Sequence, residues 1–567
     1  MSTAPNSTTT TTALKRHTAV RQFPPIGTCL TVLICLTLIP LVQIYVEEIA
    51  SVVKVFDGAV ANIVSLILAF IAFMTLWIWF CWKSAYSFGS RRAVFAAPLA
   101  GVLMAVALLR FEGVDGYMKP TFVPRWYPQH ENELDRPTAM APAVVVPEKT
   151  TESPASENVK TEIAGIDLKT ETPEDFAQFL GPQRNNWLPE AKFADRWEPQ
   201  GPREVWRRNI GPGWSGFAVR NGYAVTLEQR GPEEWVSCYR VSDGQPVWHH
   251  ACESRHYDPL GGLGPRATPT IDGGRVYAQS GTGRVQCLDG ETGKLLWEDD
   301  LLKRYDLTQA TSEGLVKWGR SGSPLIVDNL VVVPAGGYDS NVRSLIAYDK
   351  ETGKVAWEAG TDQISYASPI RCTVAGVDQI VSVNEKTLAA YDPRDGQQLW
   401  QYDWSGNSSA DANVSQAFPV GSDQLFISKG YGQGSSLLKL VPEGDKLAVN
   451  MIWESRRVLK TKFTNVTIIG DYAYGLSDGI LECVHVESGK SQWKSGRYGH
   501  GQVLGIGDQF LVLGEDGELV LLAANPEKAE VRGKIQAFDG KTWNNLCVTG
   551  KLLLIRNGQE AACYEIP

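Results

Sequence analysis

Three apolar runs open the chain, and everything after them alternates. The runs are Ile26 to Val46, Ala59 to Trp82, and Ala93 to Leu109, the last carrying Pro98. A helix needs about 20 apolar residues to cross a bilayer, with roughly 17 as the lower limit. The first two runs exceed that length and the third sits near the limit, so three membrane spans are expected. The flanks set their direction. Lys15, Arg16 and Arg21 precede the first run, Glu47, Glu48 and Asp57 dominate the loop after it, and Lys83, Arg91 and Arg92 separate the second from the third. Basic loops stay cytoplasmic. This predicts a cytoplasmic tail over 1–25, a three-helix anchor over 26–110 in the cytoplasmic (inner) membrane, and everything after Arg110 on the periplasmic side. Trp77, Trp79 and Trp82 close the second span as an interfacial belt does. The side rests on the third run, because two spans alone would return the large domain to the cytoplasm.

Residues 111–175 read as a tether. Prolines punctuate them, and the stretch from Glu148 to Thr172 is polar and poor in aromatic residues. Such a segment buries too little apolar surface to offset its ordering entropy, so disorder is expected. The short aromatic patch from Phe122 to Tyr127 is expected to pack on the membrane surface or on the large domain.

From 176 to 567 the alternation has the period of β-strands, and it repeats. The units are Cys238-Tyr-Arg-Val-Ser-Asp-Gly-Gln-Pro-Val-Trp248, Cys287-Leu-Asp-Gly-Glu-Thr-Gly-Lys-Leu-Leu-Trp297, Ala347-Tyr-Asp-Lys-Glu-Thr-Gly-Lys-Val-Ala-Trp357, Ala390-Tyr-Asp-Pro-Arg-Asp-Gly-Gln-Gln-Leu-Trp400 and Cys483-Val-His-Val-Glu-Ser-Gly-Lys-Ser-Gln-Trp493, with Trp453 marking a degenerate copy. Each is a strand, a turn with glycine supplying positive φ, and a strand ending in tryptophan. The tryptophans are spaced by 49, 60, 43, 53 and 40 residues, the size of a four-stranded propeller blade. An eighth unit begins at Lys551 and ends with the chain, lacking its Trp strand. Glu204-Val-Trp206 has that strand and no partner before it. Joining the two closes an eight-bladed ring without a free edge. Seven blades is the alternative, because the units around Lys439 to Trp453 and Ala523 to Gln536 are blurred.

The repeat Tyr/Leu-Asp-x-x-Thr-Gly-Lys-x-x-Trp resembles the PQQ-like β-propeller repeat of quinoprotein alcohol dehydrogenases and of the BamB lipoprotein. Phe176-Ala-Gln-Phe-Leu-Gly-Pro-Gln-Arg184 and Gly264-Pro-Arg-Ala-Thr-Pro-Thr270 look like membrane-tethered PQQ-like repeat proteins of planctomycete type. The resemblance covers residues 176–567 and implies the fold, not an activity. Quinoprotein dehydrogenases carry adjacent cysteines over the quinone, a Glu/Asn/Asp calcium shell and a catalytic Asp. No Cys-Cys pair occurs among the ten cysteines here, so neither PQQ nor calcium transfers residue by residue, and no cofactor is expected.

Composition narrows the function. Lys+Arg number 54 against 63 for Asp+Glu, a net charge of −9, which disfavours a nucleic-acid binder that neutralises phosphates. Cys238, Cys287, Cys483 and Cys563 share a repeat position with Ala347 and Ala390, which selects a small buried residue and not a disulfide. No Cys/His spacing suggests a metal. The segments that lead into each blade converge on one end of the channel in a propeller. They would bring Trp214, Arg266, Arg320, Tyr366, Lys462, Asn465, His500 and Trp543 to its mouth. Cationic donors and stacking rings suit an anionic or sugar-like ligand; the same residues also serve to cap a narrow polar channel. His500 has the chemistry of a general base, with no partner carboxylate evident in the sequence. The reading is therefore a non-catalytic scaffold for a protein partner or cell-envelope component. The alternative is a PQQ-dependent membrane-bound quinoprotein oxidoreductase. A sensor signalling inward is a third class, although residues 1–25 and 83–92 encode no effector.

Overall fold

The computed structural model describes residues 22–53, 56–128, 130–134, 165–444 and 446–567. The chain divides into two compact units: residues 1–45 with 61–110, and residues 46–60 with 111–567.

The first unit holds the apolar helices. Three are long and apolar enough to cross a membrane: α1 (Ile26–Ile44), α3 (Gly58–Ile78, continued by one wide turn through Lys83) and α4 (Phe88–Leu108). Between the first two lies α2 (Val46–Val52). The third span is longer than its apolar run because the helix starts five residues earlier, where Ser87 caps it by accepting from the Ser90 N–H. Pro98 sits inside α4 without ending it. Proline removes one N–H and so strands the carbonyl four residues back, here that of Val94. The Trp77 indole N–H donates to that carbonyl at 2.9 Å. The tryptophan expected at the interface thus repairs the proline's defect in the next helix.

The second unit contains eight four-stranded antiparallel blades. Blade 1 spans Ala218 to Glu253, blade 2 Thr270 to Asp300, blade 3 Leu325 to Ala359, blade 4 Ile370 to Asp403, blade 5 Phe418 to Ser455, blade 6 Thr467 to Arg497 and blade 7 Gln502 to Gln536. Blade 8 takes three strands from Cys547 to Glu565 and its outer strand from Arg203–Asn209. Cys563 faces Trp206 across that closure, with a bulge immediately after. The ring therefore closes as the repeat pattern predicts, and the count is eight.

The repeat position and the tryptophan are cross-strand partners: Cys238 faces Trp248, Cys287 faces Trp297, Ala347 faces Trp357, Ala390 faces Trp400 and Cys483 faces Trp493. A small residue opposite leaves room for the indole, which turns toward the next blade. There it meets the turn glycine. A Cβ on Gly353 would lie 2.6 Å from the Trp297 ring, and one on Gly396 would lie 2.7 Å from Trp357. The indole N–H of Trp206, Trp248, Trp297, Trp357, Trp453 and Trp493 each donates to a turn carbonyl of the following blade, at 2.7 to 3.3 Å. Trp400 donates within its own blade, to Gln379, because blade 5 replaces the tight glycine turn with a long hairpin (Gly434–Glu443 and Lys446–Ser455). Blade 7 has no tryptophan. Gly533 takes its place, and Trp197, from the segment before the ring, packs over that glycine.

Three parts of the expected tether, 111–128, 130–134 and 165–175, lie among the described residues. Residues Leu109–Val114 (β1) and Pro120–Pro124 (β2) form a hairpin. Leu168, 2% exposed, packs with the core between blades 1 and 2. At the other end Val114, 8% exposed, is buried, while Phe111 and Phe122 stay exposed. Most of the polar stretch from Glu148 lies outside the described residues.

The segment quoted from Phe176 to Arg184 fills the channel near the turn end of the inner strands. Phe176 pairs with Val219 of blade 1, and Ala177 accepts from Ile271 of blade 2. Arg184, 2% exposed, donates to the Ser323 and Pro324 carbonyls ahead of blade 3. Trp187–Leu188 then runs parallel to the inner strand of blade 7.

Candidate functional site at the channel mouth

The opposite end of the channel is built from two sets of loops. One set leads from the outer strand of each blade to the inner strand of the next. The other joins the second and third strands of each blade. Sequence reasoning chose residues from the first set only.

Four of the eight chosen residues come together. The Trp214 and Trp543 rings lie 4.9 Å apart between centroids, and Phe463 bridges Trp543 and His500 at 4.7 and 5.2 Å. Lys462 and His500 are both buried beside them. The remaining four do not join this group. Arg266 turns back on its own loop to the Gly262 and Gly264 carbonyls. Arg320 is buried against the Ala335 carbonyl between blades 2 and 3. Tyr366 is buried, and its hydroxyl accepts from the Trp318 N–H at 3.1 Å and donates to the Ser408 carbonyl. Asn465 accepts from the Gln416 N–H at 3.0 Å and so ties two inbound segments together. A guanidinium whose hydrogen bonds go only to backbone carbonyls is structural, and burial lowers both Arg266 and Arg320 to about 10.

The second loop set supplies the acids that were missed. Asp478 Oδ1 lies 3.9 Å from His500 Nε2. Glu515 accepts from the His500 backbone N–H at 3.0 Å and from the Trp543 indole at 2.8 Å. Both loops read acid before glycine, Ser477-Asp478-Gly479 and Gly514-Glu515-Asp516-Gly517. Aligning the blades on their middle loops would have found them. Lys541 completes the group, stacked over the Trp543 ring at 4.4 Å and the Trp214 ring at 5.2 Å.

The mouth is not open. Asp57, from the segment after α2, places a carboxylate oxygen 2.7 Å from Lys462 Nζ. The Gly58 N–H donates to Asp478 at 3.1 Å. At the tip of the β1–β2 hairpin, the Gly116 N–H donates to Glu515 at 2.6 Å, and the Tyr117 hydroxyl donates to the Asp478 carbonyl at 3.1 Å. Gly116 presses so closely on His500 that a Cβ there would lie 2.1 Å from the imidazole. The chain's own residues thus occupy the positions a small ligand would take.

Electrostatics follow from this enclosure. Among the described residues neither His500 ring nitrogen has a hydrogen-bond partner. Burial, then the Lys462 charge, holds its pKa well below the ordinary value, so the imidazole is neutral. Burial lowers Lys541 to about 8 and raises Tyr117 to about 12. Near the mouth, Glu234 accepts from Ser254 at 2.9 Å and from the Gly281 N–H, and burial raises it to about 7.

The quinone and calcium of the quinoproteins fit this mouth poorly. Among the described residues no three His, Cys, Asp or Glu side chains are grouped to hold a metal ion. All ten cysteines are free, and none adjoins another in sequence. The space over His500 is taken by Gly116 and Tyr117.

Comparison with known proteins agrees with the blade architecture. A quinohemoprotein alcohol dehydrogenase ADH IIB of Pseudomonas putida is 29% identical over 188 residues, covering 31% of this chain and 24% of that protein. An outer membrane protein assembly factor BamB of Xanthomonas campestris is 32% identical over 109 residues, covering 19% of this chain and 24% of that protein. The chain thus matches about a quarter of the length of each of these curated relatives. Among solved structures, BamB from Moraxella catarrhalis aligns with 64% of this chain and 100% of its own at 15% identity, with a TM-score of 0.47. A family profile described as outer membrane protein assembly factor BamB matches residues 197–317 and 232–495, and the chain belongs to that PQQ-like β-propeller family.

Proposed function

We propose that this protein is a membrane-anchored, extracytoplasmic scaffold whose propeller binds a protein partner or an envelope component through its rims and blade edges. The observation that carries this reading is the filled mouth. Asp57 and Gly116 occupy the end of the channel where a small substrate would enter, which leaves the outer surfaces for recognition. Those surfaces carry exposed apolar side chains on outer strands, such as Leu295 and Leu296 of blade 2 and Met451 and Ile452 of blade 5. A closed ring presents them on a rigid frame, so little ordering entropy is lost on binding.

The same contacts support the side. Asp57 precedes α3, and Gly116 follows α4. Both reach one propeller mouth, so the chain between them crosses the membrane an even number of times. Three spans meet that condition, and two do not. The basic flanks support an extracytoplasmic propeller.

The quinoprotein dehydrogenase relatives favour a second reading, a PQQ-dependent oxidoreductase. Two experiments separate them. Crosslinking of intact membranes followed by mass spectrometry is expected to recover one reproducible partner, joined at blade-edge residues. An uncrosslinked propeller counts against the scaffold. Purified protein incubated with PQQ and calcium is expected to show neither a bound chromophore nor dye reduction; both appearing together would overturn the scaffold reading.

A further inference from the structure

Among the described residues the arginines of the propeller unit nearly all have partners. Arg203, Arg207, Arg230, Arg275, Arg284, Arg304, Arg371 and Arg394 meet carboxylates within 4 Å. Arg184, Arg320 and Arg556 donate to backbone carbonyls. Arg456 and Arg457 break this rule. They are adjacent on the segment between blades 5 and 6, and among the described residues neither guanidinium has a carboxylate or a carbonyl partner. Lys460, on the same segment, is 6% exposed, and its ammonium is equally unpartnered among the described residues.

These three cations line one cavity of about 300 Å³, together with Glu47, Ala50, Glu454 and Ser455. Glu47 is already engaged by Lys494 at 3.3 Å, and Glu454 accepts from Gln433 at 3.1 Å. Three cationic side chains with free donors facing one cavity repel one another. A site of this kind is stabilised by an anion with several acceptor oxygens, the chemistry that guanidinium groups recognise in phosphates. Its volume lies at the lower end of small-ligand sites, about 300 Å³ upward.

The other wall says where that phosphate comes from. Glu47 and Ala50 belong to α2, and Glu47 lies three residues after the last residue of α1, a helix apolar enough to span a bilayer. Three residues of chain reach no more than about 11 Å, so Glu47 is tied within that distance along the chain to the end of a helix apolar enough to span a bilayer. We propose that the cavity bounded by Glu47, Ala50, Arg456, Arg457 and Lys460 holds the phosphate of an anionic phospholipid headgroup. The site would tie the propeller unit to an anionic lipid. This inference goes beyond the scaffold reading and depends on no partner of the propeller.

The test uses the full chain in detergent, mixed with phosphatidylglycerol and followed by native mass spectrometry. The wild type is expected to retain one phosphatidylglycerol about tenfold more strongly than the Arg456→Gln/Arg457→Gln double variant, the scale of losing charge-assisted hydrogen bonds. Both arginines lie outside the buried core, so the variant is expected to fold; unchanged circular dichroism checks this. Arg456→Lys/Arg457→Lys, which keeps the charge, is expected to bind at an intermediate level and guards against a folding artefact. Retention of phosphatidylcholine as strong as that of phosphatidylglycerol would overturn the proposal, as would equal retention by the Gln variant. Displacement of the lipid by millimolar inorganic phosphate would make this a site for soluble phosphate and overturn the lipid assignment.

Discussion

The Lys462 ammonium lies 2.7 Å from the Asp57 carboxylate, and both side chains are 6% exposed. The two residues are separated by the last two apolar helices, the hairpin and five blades, yet they form one buried ion pair. Removing one partner of such a pair leaves an uncompensated charge and costs about 3–5 kcal/mol. Asp478, 4.0 Å from the same ammonium, recovers part of this. Asp57→Ala is therefore expected to lower the unfolding midpoint of the full-length protein. Asp57→Ala with Lys462→Met is expected to lower it less than the single change does. Chemical denaturation of the four combinations reads the coupling directly.

Gly116 is the second fastening. Its Cβ would collide with His500, a neighbour that cannot move because it is itself fully buried. Gly116→Ala should cost about 1–3 kcal/mol as an overpacked contact. The hairpin over 109–124 should become sensitive to limited proteolysis while the blades stay resistant. Cleavage at the wild-type rate would show that the tip does not seat on the mouth.

Trp197 offers a sharp contrast between repeat and non-repeat residues. It stands over Gly533 where blade 7 lacks its own tryptophan. Trp197→Ala is expected to destabilise by about 3–5 kcal/mol, as much as Trp297→Ala in the regular repeat. Equal shifts in denaturation midpoint would establish the equivalence. A negligible shift for Trp197 would mean the wedge of blade 7 is filled otherwise.

Glu234 should leave a mark on the pH dependence of stability. Burial raises it from 4.5 to about 7. Between those values the unfolded chain releases this proton and the folded chain keeps it, so stability falls as pH rises from about 4.5 through about 7. The loss amounts to about 3 kcal/mol. Glu234→Gln is expected to remove that slope, seen as a difference between variant and wild-type melting temperatures at pH 5 and pH 8. Parallel profiles would rule out a raised carboxyl at this position.

Much of the fold was readable along the chain because the blade is a local object. The turn glycine, the small residue and the tryptophan all lie within about a dozen positions, and each has a steric job that admits few residue types. The closure at Trp206 and Cys563 could be inferred because a ring of such units cannot leave half a blade unpaired. The candidate site was readable only in part. Trp214, Lys462, His500 and Trp543 do gather, since the loops leading into the blades face one end of any propeller. Arg266 and Arg320 carry the same charge as Lys462 but fold back onto carbonyls of their own or neighbouring loops, a choice made by a few ångströms of backbone.

Local chemistry along the polymer was enough to set the blades and three apolar helices, since each is built almost wholly from neighbours in sequence, and the seam at Trp206 and Cys563 followed from the two partial blades left over. The closing of the mouth needed residues hundreds of positions apart to meet. Asp57 and Gly116 carry no signature of their own: an acid in a loop and a glycine in a hairpin acquire meaning only once Lys462, Asp478, His500 and Glu515 have been assembled opposite them. Contacts of that kind depend on where the finished blades stand, and no periodicity in the chain records it.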